Sequence, residues 1–204
     1  MTFPRFASIC LRFSPIGILL GWAGMRLGGG GGDEPLWTIA HLIWLPSYAA
    51  LALGYIGVHS LIRAERSAER LLAGFGVVLA AVGGMAVSAQ MVIDLVVGLS
   101  TSDQAGMGER FDDVQAAPGV EAAVYTVGPS LLFVGMMILT LHAAARRRLP
   151  VYAPVLVASA VAISGLEQAV EVPLRLMMAA AVILLWFAAR PIADRMREPA
   201  RTTA

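Results

Sequence analysis

Six long apolar stretches, separated by short polar segments, occupy most of the 204-residue chain. A transmembrane helix needs about 20 consecutive apolar residues, because each residue adds about 1.5 Å across a hydrocarbon core of about 30 Å. The stretches are continuously apolar rather than alternating, which favours helices over the strands of a membrane barrel. The pattern therefore predicts an all-α, polytopic membrane helical bundle. Its approximately six transmembrane helices are expected at residues 6–27, 36–62, 71–99, 122–145, 151–170 and 173–189.

The composition agrees with this pattern, since 58% of the residues are hydrophobic and only 14% are charged. A soluble domain of this length could not bury so much apolar surface. We expect a single transmembrane domain over residues 1–190 and a short charged cytoplasmic tail over 191–204. The first span also has the basic start of a signal peptide, but no A-x-A cleavage site follows it, which favours a retained helix. The single cysteine, Cys10, excludes an internal disulfide and a thiolate metal cluster.

The arginines predict the orientation of the spans. Twelve of the 15 basic residues, all of them arginines, fall on one side of the predicted spans, although the formal net charge is only +1. The positive-inside rule then places both the N- and the C-terminus in the cytoplasm. We expect a multi-pass protein of a bacterial plasma membrane whose basic face contacts the lipid bilayer, and no nucleic-acid partner.

The second predicted span carries aromatic and histidine side chains at helical spacing. They recur every three or four residues and so share one helix face. One interpretation is an interfacial aromatic belt that packs on neighbouring helices. The other is the wall of a pocket, because imidazoles are costly in apolar surroundings without partners. The members are Trp37, His41, Trp44, Tyr48, Leu51, Tyr55 and His59.

The third predicted span offers a partner for the outer histidine. Gln90 and Asp94 are four residues apart on one helix face, and Asp94 is the acid that lies deepest in an apolar run. Asp94 and His41 both lie about five residues, or about 7 Å, inside the outer end of their spans. We therefore expect the two side chains to meet, either as a structural link between helices or as part of a functional site.

Two further groups complete the candidates. Small residues at a spacing of four predict a seam on the third span where another helix can approach closely. The fifth span ends with Glu167 and Glu171 on one face, which suits either acid–base chemistry or a solvated helix end. The seam consists of Gly76, Ala80, Gly84 and Ser88.

Four segments carry a resemblance, namely residues 39–45, the glycine-rich third span ending near Asp94, the Ala117–Pro118 pair and residues 148–153. Together they resemble a family of small six-span integral membrane proteins of high-GC Gram-positive bacteria. The resemblance covers residues 36–165. It implies the topology and a bacterial plasma membrane but no reaction, since that family has no established activity. Looser likenesses are to the substrate-binding subunits of energy-coupling-factor vitamin transporters and to small membrane-bound terpene cyclases.

These patterns favour a protein that binds a small lipophilic or amphipathic ligand in an outward-facing intramembrane pocket, without a cofactor or metal. One alternative is a membrane-embedded acid–base isomerase or cyclase of an isoprenoid-like substrate, using Asp94, His41 or Glu167. Others are a structural or assembly partner that packs through the small-residue seam, and a substrate-binding subunit of a transporter. The expected ligand-binding residues are Trp37, His41, Trp44, Tyr48, Gln90 and Asp94.

Overall fold

The computed structural model describes residues 2–27, 35–62, 64–101, 103–169 and 176–198, and in 166–169 only the backbone. The described residues form helices and contain no strand, so the predicted all-α class is confirmed. A 3₁₀ turn, His59–Leu61, follows the second helix, and a π-helical segment, Glu121–Thr126, precedes the fifth. The α-helices are α1 (Phe3–Leu27), α2 (Pro35–Val58), α3 (Ser67–Ser100), α4 (Gln104–Ala116), α5 (Val127–Ala145), α6 (Tyr152–Ala169) and α7 (Met177–Arg197).

Five of the described helical segments are long and apolar enough to cross a membrane. They are α1, α2 with its 3₁₀ turn, α3, the π-helical segment with α5, and α7. The fifth predicted span corresponds to α6, whose apolar part, Tyr152–Gly165, is shorter. The structure thus supports a helical membrane bundle with five full-length candidate spans and one short apolar helix.

The long helices pack side by side in a closed ring, which we call the closed order. α2 packs between α1 and α3, and α3 packs on α5. α6 contacts both α5 and α7, and α7 returns to α1, so the first and last helices are neighbours. The apolar core lies inside this order and includes Leu11, Tyr55, Leu132 and Ile192, all fully buried. The candidate site lies on α2, α3 and the π-helical segment.

The predicted small-residue seam on α3 is covered by helices of the same chain. A side chain at Gly76 would meet Leu139 of α5 at 3.1 Å, and one at Gly84 would meet Ala52 of α2. Gly135 of α5 fits so tightly against this face that a Cβ atom there would lie 2.8 Å from the Gly76 carbonyl oxygen. The seam therefore fastens α3 to α5 and α2, as small residues do where helices approach closely.

Two polar segments of the chain are helical. The connection between the third and fourth predicted spans contains α4, whose first turn is capped by Asp103 accepting a hydrogen bond from the Gly106 amide at 2.7 Å. Past the tail boundary predicted at residue 190, α7 continues to Arg197. The reason is an apolar stripe in which Ile192 and Met196 are buried against the bundle. Residues 199–204 of the tail lie outside the described residues.

The arginine-rich ends of the helices come together at one end of the bundle. Arg12 of α1 forms an ion pair with Asp194 of α7, and Arg197 donates a hydrogen bond to Ser8 at 3.0 Å. Arg146, after α5, lies 3.2 Å from the carboxylate of Glu65 before α3. The beginning of α1 and the end of α7 are therefore on the same side.

Candidate functional site

His41 is held by its own helix. Its Nδ1 atom lies 2.9 Å from the carbonyl oxygen of Trp37, one turn earlier in α2. A carbonyl oxygen only accepts hydrogen bonds, so Nδ1 must carry a proton and donate it. This bond fixes the orientation of the ring and directs the other nitrogen, Nε2, away from the helix axis.

Nε2 of His41 points at Asp94. It lies 3.6 Å from Oδ2 of the carboxyl group, across the contact between α2 and α3. Both residues are buried, with exposed fractions of 4% for His41 and 7% for Asp94. The matching depths in the sequence thus predicted the right neighbours. The separation suits an ion pair and slightly exceeds a direct hydrogen bond.

A proton between the two groups would make this contact favourable. With Nδ1 protonated, an unprotonated Nε2 would present a lone pair to a carboxylate oxygen, and two acceptors would face each other in an apolar interior. A proton on Nε2 or on the carboxyl group would remove this repulsion. In both states the pair stores one transferable proton.

Tyr125 completes the cluster and was not among the predicted site residues. Its hydroxyl group donates a hydrogen bond to Oδ1 of Asp94 at 3.3 Å, and its side chain is only partly buried. It lies in the π-helical segment, where the Thr126 hydroxyl group also donates a hydrogen bond to the carbonyl oxygen of Glu121 at 3.3 Å. A π-helical turn rotates the following side chains about the helix axis. Counting residues at α-helical spacing could therefore not predict that Tyr125 faces Asp94. Its depth near the outer end of the fourth span was the usable signal.

Two indole rings enclose the imidazole. The Trp37 ring lies 3.9 Å from that of His41 with an interplanar angle of 33°, and the Trp44 ring meets it edge-on at 5.1 Å. The Trp44 indole also donates a hydrogen bond to the carbonyl of Ile18 in α1 at 2.9 Å. The ring of Trp37 packs on Gly98 of α3. Both tryptophans, expected to form the walls of a pocket, therefore also pack closely on neighbouring helices.

The other members of the stripe on α2 and its 3₁₀ turn differ in burial according to their position along the chain. Tyr48 is partly buried, whereas Leu51 and Tyr55 belong to the core of the bundle. His59 is exposed in the 3₁₀ turn at the arginine-rich end. The contact of the stripe with Asp94 therefore lies in its outer half, where the sequence analysis expected the site.

The remaining candidates lie beside or outside this cluster. Gln90, one turn before Asp94 on α3, is partly buried at its edge. The side chain of Glu167 and the whole of Glu171 lie outside the described residues. Within the ranges that the structure describes, no three His, Cys, Asp or Glu side chains converge so that they could hold a metal ion.

Comparisons of the chain with models of known families, with curated proteins and with solved structures found no match.

Proposed function

We propose that this protein binds a small lipophilic or amphipathic molecule in the outer half of a bacterial plasma membrane. His41 and Asp94 are its polar anchors, and Trp37, Trp44 and Tyr48 supply the apolar surroundings. The supporting observation is the contact between Nε2 and Oδ2 at 3.6 Å, which buries two ionisable groups among helices apolar enough to span a membrane. Ionisable groups at such depth are costly, and they commonly mark a ligand or proton pathway.

The cluster has hydrogen-bonding capacity left for a ligand. A carboxylate offers about four lone-pair sites. The two contacts of Asp94, 3.6 Å to His41 and 3.3 Å to Tyr125, are both longer than the 2.7–2.9 Å of a strong charge-assisted bond. A ligand hydroxyl or amide group can therefore bind Asp94 without displacing a tight partner. Tyr125 and Gln90, both partly buried, give the cluster its accessible edge.

In this proposal the cluster opens on the outer side, and both chain ends are cytoplasmic. The proximity of α1 and α7 at the arginine-rich end supports that orientation, because arginines are retained in the cytoplasm during insertion. This orientation places α4 on the outer side of the membrane.

Cysteine labelling tests the orientation. In a Cys10→Ala background, we expect an impermeant maleimide to label Asp112→Cys in intact cells, because α4 faces outward. Glu198→Cys, at the end of α7, should react only after the cells are permeabilised. Both positions are exposed. Labelling of Glu198→Cys in intact cells would contradict the proposed topology.

Extraction of bound molecules tests the function itself. We expect protein purified in mild detergent to carry a small molecule at near-stoichiometric amount, detected by mass spectrometry of a solvent extract. Asp94→Asn should lower the affinity for this molecule by about tenfold or more and so reduce its occupancy, since losing one good charged contact costs about 1.5–3 kcal/mol. His59→Ala is the matched control and should retain it. Equal occupancy in the Asp94→Asn and His59→Ala variants would contradict the proposal.

The stored proton favours a second function, an acid–base isomerase or cyclase of an isoprenoid-like substrate. Asp94 would then donate the proton to the substrate, and the neutral Nε2 atom of His41 would accept the proton that the substrate loses in a later step, which regenerates the pair. The two functions differ in the fate of solvent hydrogen. An enzyme would incorporate deuterium from heavy water into the bound molecule at a carbon atom, and Asp94→Asn would abolish this incorporation, whereas a binding protein would leave the carbon skeleton unlabelled.

A further inference from the structure

A second surface lies at the opposite end of the bundle, remote from His41 and Asp94. It is a groove of about 520 Å³ between the first turns of α6 and the last turns of α7. Its apolar wall includes Phe187, 48% exposed, and Tyr152, 55% exposed, so it is open to the surroundings of the bundle. The lining residues are Tyr152, Leu156, Phe187, Arg190, Pro191 and Asp194.

The groove holds one arginine whose charge is not neutralised by the described part of the protein. The other charged lining residue, Asp194, pairs with Arg12 of α1. Arg190 forms no ion pair with any described residue, and its guanidinium lies 4.6 Å above the ring of Trp186. Stacking on the indole orients the guanidinium while leaving its hydrogen-bond donors free.

We propose that this groove binds one anionic phospholipid from the leaflet on the arginine-rich side. The phosphate accepts hydrogen bonds from Arg190, and an acyl chain lies along Leu156 and Phe187. The guanidinium fork matches phosphate oxygens, and an apolar wall extends from it along two helices. A basic pocket between membrane helices on the cytoplasmic side is a setting in which anionic headgroups bind. This inference is independent of the proposed ligand site.

Lipid selectivity tests the assignment. The full chain is placed in nanodiscs of phosphatidylcholine containing a minority of phosphatidylglycerol, and the lipids retained after release are counted by native mass spectrometry. We expect phosphatidylglycerol to be enriched over its share of the disc. Arg190→Gln should lower that enrichment about fivefold, as expected for one arginine near a charged lipid.

Two variants separate this groove from general attraction to the basic surface. Arg195→Gln removes an exposed arginine of the same helix that pairs with Glu198 and does not line the groove, and it should leave the enrichment unchanged. Phe187→Ala keeps every charge and should lower the enrichment through the acyl chain. Equal losses in Arg190→Gln and Arg195→Gln would overturn the proposal. So would an unchanged enrichment in Phe187→Ala, because a headgroup or free phosphate alone does not need that wall.

Discussion

Replacing His41 by leucine is expected to lower the free energy of unfolding by about 1–3 kcal/mol, the cost of leaving a buried polar group without its partner. The variant leaves Asp94 with Tyr125 at 3.3 Å as its one remaining hydrogen-bond or ion-pair partner among the described side chains. His59→Leu is the matched control and should change the melting temperature little, because His59 is exposed. Thermal unfolding in detergent, followed by circular dichroism, measures both. A larger loss of stability in His59→Leu than in His41→Leu would contradict this expectation. It would show that the polar contacts at the opposite end of the bundle contribute more to stability.

The double variant His41→Leu/Asp94→Leu refines this expectation. Removing one member of a buried pair leaves an uncompensated group, whereas replacing both by apolar residues is often nearly neutral. The double variant should therefore be more stable than His41→Leu alone, although it cannot bind the proposed ligand. Additive losses would mean that the two side chains do not interact, and the cluster would then be an accident of packing.

Gly135→Ala is expected to disrupt the packing of α3 on α5. A Cβ atom there would lie 2.5 Å from the Ala80 amide nitrogen and 2.8 Å from the Gly76 carbonyl oxygen, both backbone atoms that cannot rotate away. The helices α3 and α5 must separate, at a cost of about 1–3 kcal/mol or more. A lower midpoint of thermal unfolding would report this loss.

A second glycine supplies the control. Gly74, on α3, has nothing within 4 Å of the position of a Cβ atom. Gly74→Ala should leave packing intact and gain up to about 1 kcal/mol of helix propensity. If Gly135→Ala melts at the same temperature as Gly74→Ala, the close approach of α3 and α5 is wrong.

The sequence could predict the features that depend only on position along the chain. Span length follows from the apolar runs, and the meeting of His41 with Asp94 follows from equal depth in adjacent antiparallel helices. The sequence could not predict the contacts that depend on how a helix is rotated about its axis. The π-helical segment that turns Tyr125 toward Asp94 has no apolar period, and the packing of Trp37 on Gly98 depends on how two helices are rotated.

The polar ends of the chain were also beyond prediction, for a related reason. In the sequence, Asp194 belongs to the predicted charged tail. Its ion pair with Arg12 forms only because α7 packs against α1. Nothing local in the sequence specifies that return. The buried stripe of Ile192 and Met196 could have indicated a longer helix, but the neighbouring arginines obscured it.

The pairing of Arg12 with Asp194 has a consequence for the biogenesis of the protein. The two residues are 182 positions apart, so α1 is inserted long before its neighbour α7 is synthesised. During that interval the Arg12 guanidinium must be solvated by lipid headgroups or water. The closed order of helices is therefore completed last, by the arrival of the C-terminal helix. Until α7 arrives, the side of α1 that α7 covers in the finished bundle stays open, and such incompletely packed intermediates are prone to misassembly.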